Sequence, residues 1–259
     1  MRNTITIIKL GGSIITDKSK PYTLNLPIIK RLAKEIKKAN IPVIIVHGAG
    51  SFAHTSAKKY GGKKGYSSLW GVSKVARDAQ ALDQIIIDEL IDAKIPAISF
   101  RPNSLFFARK GQLSSHNLIP VLEALRQGLV PVLYGDVILD ESWKTTIFSG
   151  ETSTKYLVGF LQDNNARVNK VIQVGITDGV YGQDGKTIEA INTSTFKDIK
   201  KSLSCSKSTD VTGGMMHKVE QSLLLSETNV PTLIISGLRN NELLNTLKGK
   251  YSNNLTYIK

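Results

Sequence analysis

Two hydrophobic spacings alternate along this chain. Short, nearly unbroken apolar runs occur at 4–10, 43–46, 96–100, 130–134, 170–174, 232–235 and 256–258. Runs of this length, rich in Val and Ile, read as strands buried on both faces. Between them lie stretches with apolar residues every three or four positions. The first spans 27–40, with Pro27 in its opening turn and Ile28, Ile29, Leu32, Ala33 and Ile36 on one stripe. A longer one spans 70–93 and carries Val72, Val75, Ala76, Ala79, Leu82, Ile86 and Leu90. Further helices are predicted over 117–127, 149–162 and 215–227, a hairpin over 137–147, and a flexible basic loop over 61–65. Strand and helix alternate, so the expected fold class is α/β, a layered sandwich with a mainly parallel central sheet. The polar break Asp163-Asn164-Asn165 divides the chain into an expected first lobe over 1–166 and a second over 167–259.

Composition narrows the partners. The formal net charge is +13, which draws anions such as nucleotides or phosphorylated metabolites. The lysines are scattered in pairs, such as Lys37-Lys38 and Lys63-Lys64, and are not interleaved with aromatics, so no nucleic-acid partner is expected. Cys205 is the only cysteine, which removes internal disulfides and Cys-rich zinc sites and fits a cytoplasmic setting. No leader-like apolar segment and no membrane-spanning run is expected. His116 and His217 lack metal-ligand spacing, and no protein-held metal is expected.

Candidate chemistry gathers at glycine-rich turns. The run at 43–46 ends in Gly48-Ala49-Gly50-Ser51, and a helix is expected to follow with His54 near its first turn. Backbone N–H groups, a helix N-terminus and an imidazole together suit a phosphate. The same residues also suit a tight turn with a satisfied histidine. Gly11-Gly12-Ser13 and Thr212-Gly213-Gly214 are two more such turns, and Lys9, Lys18 and Lys218 accompany them. No P-loop and no dinucleotide fingerprint is present. Turns at the carboxyl ends of parallel strands converge on one crevice, and glycines with lysines suit phosphoryl transfer.

Lys9-x-Gly11-Gly12-Ser13, His47-Gly48-Ala49-Gly50-Ser51-Phe52-x-His54, Gly135-Asp136, Ser149-Gly150-Glu151 and Asp210-x-Thr212-Gly213-Gly214-Met215-x-x-Lys218 follow one another in an order and spacing that resembles the amino acid kinase family. The resemblance implies an open αβα sandwich, a homodimer, and ATP whose phosphates carry Mg²⁺. It implies that the first lobe binds the acceptor and forms the dimer, and that the second binds nucleotide. It gives catalytic roles to Lys9, Lys18, His54, Glu151 and Lys218. Lys9, Gly11, Gly12, Ser13, Gly50, Asp178, Gly213, Gly214 and Lys218 would contact the nucleotide; Ala49, His54 and Gly150 would hold the acceptor phosphate. Gly50-Ser51-Phe52-x-His54 and Arg101-Pro102-Asn103-Ser104 point to a branch acting on a small isoprenoid monophosphate. Another phosphate or phosphonate acceptor, and a non-catalytic nucleotide-binding regulator, are the alternatives. Two places depart from the family pattern: Glu151 replaces the usual aspartate, and Gly175-Ile176 stands at the strand end where the family usually has a Thr-Asp pair. The stripe of Val75, Ala79, Leu82 and Ile86 is read either as the wall of a pocket for the acceptor's tail or as ordinary core.

Overall fold

The computed structural model describes residues 4–62, 65–204 and 213–259. The apolar runs form β1 (Ile5–Leu10), β2 (Val43–His47), β5 (Ala97–Ser99), β8 (Val130–Tyr134), β11 (Val168–Gly175), β13 (Thr232–Ser236) and β14 (Thr256–Ile258), with the short strands β3 (Gly61–Gly62), β4 (Gly65–Tyr66) and β12 (Ala190–Ile191) added. The main sheet has the order β12-β14-β13-β11-β1-β2-β8-β5 and is parallel except where β13 meets β14. The sheet is continuous across residue 166, because β1 and β11 pair directly, Ile7 opposite Val171.

Strand pleating sends alternate residues to opposite faces, and both faces are apolar. Ile8, Leu10, Val43, Ile45 and Val174 share one core cluster with α2 (Leu26–Ala39), α4 (Leu69–Asp92) and α10 (Glu242–Leu247). Ile5, Ile7, Ile44, Val46 and Val171 share the other with α6 (Ile119–Arg126), α7 (Gly150–Asp163) and α9 (Gly213–Ser226). This is the expected αβα layering.

The predicted hairpin is present as β9 (Asp136–Asp140) and β10 (Lys144–Phe148), joined by β6 (Phe106–Arg109) and β7 (Gln112–His116) in a second, four-stranded sheet. Residues around the expected loop at 61–65 form a small ladder in which Gly61 pairs with Tyr66 and Gly62 with Gly65. The spacing does not anticipate β6, β7, α8 (Thr193–Ser204) or α10. β7 is mostly exposed, α8 is largely polar, and α10 is a six-residue helix.

Helix α4 settles the two readings of its stripe. Leu82 and Ile86 are fully buried against Ile14, Ile45 and Val132 in the core. Val75 and Ala79 lie a turn or two earlier and pack with Ala53, Tyr134 and Val137 in a separate cluster. The stripe is therefore core at Leu82 and Ile86. Leu82→Ala or Ile86→Ala should lower stability by about 2–5 kcal/mol through a buried cavity. Chemical denaturation checks this, and a cost below about 1 kcal/mol would mean the core collapses around the gap.

Candidate active site

The carboxyl ends of four adjacent parallel strands meet at one cleft. Gly11 follows β1, Gly48 follows β2, Gly135 follows β8 and Ile176 follows β11, and all four residues line a cavity of about 630 Å³. A groove of about 670 Å³ at the opposite end of the sheet is lined by residues such as Ile36, Asn40, Val43 and Leu129; neither the glycine turns nor the site lysines reach it.

The turns are packed backbone to backbone. A Cβ added at Gly48 would stand 2.7 Å from the Gly12 nitrogen, and one at Gly12 would stand 2.8 Å from the Gly50 nitrogen. Larger residues at these two positions would force the turns apart. Gly50 has φ +52, and its Cβ would strike the Thr16 side chain at 2.5 Å. The Thr16 hydroxyl donates to the Gly12 carbonyl (2.7 Å) and accepts from the Ser51 N–H (2.8 Å), fixing the start of α3 (Gly50–Tyr60). The N-cap residue Ala49 adds no side-chain cap of its own, and Ala49 and Gly50 line the cleft at the N-terminal end of the helix.

Charge converges on the same space. Lys9 on β1 is 4% exposed, and its Nζ donates to Glu151 Oε1 in the first turn of α7. Burial pushes the Glu151 carboxyl up, but the adjacent Lys9 ammonium, with Lys218 behind it, holds it down to about 2. Lys218 on α9 lines the cleft with its Nζ next to Gly175, 3.5 Å from where a Cβ would lie. Lys18 lines it from the loop after α1 (Gly12–Ile15); desolvation first, and Lys9 second, hold its ammonium below the ordinary lysine value. One carboxylate thus balances a buried lysine and feels two more cations.

A model of the amino acid kinase family matches residues 4–236. The chain belongs to the amino acid kinase family. It is 33% identical over 260 residues to the isopentenyl phosphate kinase of Methanocaldococcus jannaschii, covering 95% of this chain and 96% of that one. The corresponding protein of Methanothermobacter thermautotrophicus is 33% identical over 89% of this chain and 90% of its own. Among solved structures, an isopentenyl phosphate kinase superposes with a TM-score of 0.82 at 27% identity, over 98% of this chain and all of the other. N-acetylglutamate synthase of Neisseria gonorrhoeae shares the fold, with a TM-score of 0.72 at 15% identity over all of this chain and 60% of its own.

Within this kinase fold the site residues divide as follows. Lys9, Gly11, Gly12, Ser13, Lys18, Ala49, Gly50, His54, Gly150, Glu151, Gly214 and Lys218 line the one cleft. Asp178 lies outside the lining, and its carboxylate accepts from Arg239 at 2.7 Å. Gly213 opens α9, while Asp210 and Thr212 fall outside the described residues. His54 projects from α3 and remains solvent-accessible from the cleft mouth. Desolvation on its inner side, then Lys18 and Lys58, lower its pKa, so the imidazole is neutral at pH 7 with one N–H to donate. His47 is fully buried, 3.0 Å from Asp83 Oδ1, and serves the core.

Further lining residues, Val75 and Ala79 of the α4 stripe among them, complete the walls. Ala53, Val75, Ala79, Val137 and Ile147 give the cleft an apolar side next to His54. Ser149 and His217 approach each other at 3.3 Å, a contact that no sequence spacing reveals. Asp136 is 3% exposed. Its Oδ1 accepts from the Val137 N–H at 2.8 Å, while its Oδ2 has no hydrogen-bond partner. Burial pushes this carboxyl up to about 6, against the pull of the Val137 N–H and Arg101.

That shift sets a pH dependence. Below an unfolded value of 3.8 the group is neutral in both states and costs nothing. Between about 4 and 6 the folded chain holds a proton that the unfolded chain has lost, and above about 6 it must bury the charge. Stability is therefore lost as pH rises through this window, by about 3 kcal/mol in all. Asp136→Asn keeps the Oδ1 acceptor and removes the charge. Its melting temperature should exceed that of the wild type at pH 8, and the gap should close below pH 4. A gap independent of pH would show that Asp136 titrates as an ordinary surface carboxylate.

Proposed function

We propose that this protein is an ATP-dependent kinase that converts isopentenyl phosphate to isopentenyl diphosphate in isoprenoid biosynthesis. The observation that carries the reading is the juxtaposition, in one cleft, of a phosphate seat and an apolar wall. His54, the N-terminus of α3 and Gly150 form the seat; Ala53, Val75, Ala79, Val137 and Ile147 form the wall. An acceptor with an anionic head and a short hydrocarbon tail matches both. Relatives of the chain bearing the name isopentenyl phosphate kinase support the choice of acceptor. A nucleoside acceptor would set a polar base and ribose against the apolar wall, and a non-catalytic regulator would have no use for the buried Lys9.

The division of labour follows the sheet. Residues 1–166 supply the acceptor seat and the dimer contacts of a homodimer working in the cytoplasm. Residues 167–259 supply Lys218, Gly214 and the rest of the nucleotide side. The glycine turns leave room for phosphates where any Cβ would intrude, and the lysines match their charge. Glu151 is engaged by Lys9, and among the described residues no cluster of three or more His, Cys, Asp or Glu is placed to hold a metal ion. Mg²⁺ would accordingly be carried by the nucleotide phosphates, where it neutralises charge on the transferred group.

The chemistry needs no general base. A phosphomonoester has its second pKa near 6, so its oxygen is already an anionic nucleophile at neutral pH. That oxygen forms a bond to the γ-phosphorus as the bond to the departing ADP oxygen breaks. Lys9 and Lys218 stabilise the charge on the phosphoryl group in flight, and Lys18 offsets the repulsion between two anionic substrates. His54 donates its N–H to the acceptor phosphate and removes no proton.

A coupled ADP-release assay over a panel of phosphate monoesters tests this reading. Isopentenyl phosphate should be turned over and nucleoside monophosphates should not; the reverse would refute it. His54→Ala should lower kcat/KM by about tenfold to more than a hundredfold, the loss of a charge-assisted hydrogen bond. His54→Gln, which keeps a donor, should retain more activity. At the apolar wall, Val75→Ala should raise the ratio of kcat/KM for geranyl phosphate over isopentenyl phosphate, and Ala79→Leu should lower it. A ratio unmoved by both would place the tail elsewhere.

A further inference from the structure

Two side chains that the mechanism above does not use meet across the cleft. Ser149 is the N-cap of α7, which belongs to the first half of the chain; His217 lies on α9, which belongs to the second. His217 Nε2 lies 3.3 Å from Ser149 Oγ, and both residues line the cleft. The serine hydroxyl already accepts the Thr152 N–H at 3.2 Å and lies 3.0 Å from Thr152 Oγ1. A hydroxyl has two lone pairs and one hydrogen. All three contacts are satisfied in either of two ways: Ser149 Oγ accepts from Thr152 N–H and from His217 Nε2–H and donates to Thr152 Oγ1, or it accepts from Thr152 N–H and from the Thr152 hydroxyl and donates to His217 Nε2. In both, His217 Nε2 is hydrogen-bonded to Ser149 Oγ.

The position of this contact matters more than its strength. Ser149 directly precedes Gly150 and Glu151, the acceptor seat and the carboxylate that holds Lys9. His217 directly precedes Lys218, whose charge acts on Glu151. We propose that His217 is a positioning residue: its hydrogen bond to Ser149 is a strut across the cleft that sets the distance between the acceptor seat and the nucleotide helix. In-line transfer depends on that distance, since the two reacting atoms must be held close to contact before reaction. Losing the strut leaves each binding surface intact but unregistered with the other.

The inference rests on the kinase reading, and its tests separate the two. Turnover of isopentenyl phosphate by the wild type is measured first; its absence would strike at the kinase reading alone. Nitrogen-15 histidine spectra of the full chain then read the strut without any reaction. The His217 Nε2 resonance should be moved by Ser149→Ala; a resonance indifferent to Ser149 would overturn the strut. In kinetics, His217→Ala should lower kcat about tenfold, while KM for ATP and for the acceptor each stay within about twofold. His217→Gln, which keeps a donor, should recover part of the loss. The double variant His217→Ala/Ser149→Ala should be no slower than the slower single variant. A rise in either KM at unchanged kcat would make His217 a substrate contact. A fall in melting temperature with kinetics unchanged, or fully additive losses, would make it an ordinary structural side chain. Any of these results overturns the proposal.

Discussion

A buried ammonium on the central strand constrains everything around it. Lys9 sits on β1 between β2 and β11, where an apolar side chain would cost the fold nothing. An ion taken that far from water costs several kcal/mol unless it is paired at close range. Glu151 supplies the pair, and the first turn of α7 is where a helix dipole favours a negative charge. The pair therefore docks α7 on the sheet as well as neutralising Lys9. Removing either partner alone would leave its neighbour charged and buried, a loss of about 3–5 kcal/mol. A carboxylate held to about 2 stays ionised at neutral pH. The ammonium is thus held in place by the protein alone.

Close packing of glycine turns follows from the same demand. Three cations and one carboxylate share a cleft whose floor is backbone. Gly12, Gly48 and Gly50 stand so near one another that a single Cβ at Gly12 or Gly48 would lie under 3 Å from a neighbouring nitrogen. Side chains there would fill the space that phosphates need and shield the lysines from them. The second sheet borders the cleft, with Val137 and Ile147 lining it. Polar groups lie at the strand ends and apolar ones along α3, α4 and the hairpin.

Much of this is legible in the sequence because each signal is local. Unbroken Val and Ile runs can only be strands covered on both faces, and the glycine turns fall where those runs stop. The lysines and His54 stand at fixed offsets from the turns, so placing the turns places them. Two kinds of information are not local. Helical spacing marks Val75, Ala79, Leu82 and Ile86 as one stripe, but α4 is 24 residues long, about 36 Å. Its early turns border the cleft and its middle turns the core beneath α3, a change that periodicity does not register. Likewise His217 and Ser149 stand 68 positions apart, and their contact depends on how α9 is set against α7. Metal-ligand spacing is the wrong question to ask of that histidine, since its partner is a helix cap.

The departures from the family pattern acquire a physical sense in this setting. A glutamate at 151 reaches one methylene farther than the usual aspartate, and Lys9 Nζ meets it within hydrogen-bond distance. The longer side chain extends the reach from α7 to β1 without moving the helix, whose start is fixed by the Ser149 cap. At the end of β11, where Gly175-Ile176 replaces the usual pair, Asp178 follows two residues on and accepts from Arg239 on the loop after β13. Arg239 also offers its backbone carbonyl to Arg31, which in turn grips Glu35; Glu35 accepts from the Asn241 and Leu244 N–H groups at the start of α10. That chain of contacts anchors the loop after β13 and the start of α10 to α2, on the opposite flank from α9. The strut proposed at His217 and the anchor at Arg31 would hold the C-terminal half of the site from two sides, leaving the glycine turns between them as the part free to accommodate phosphate.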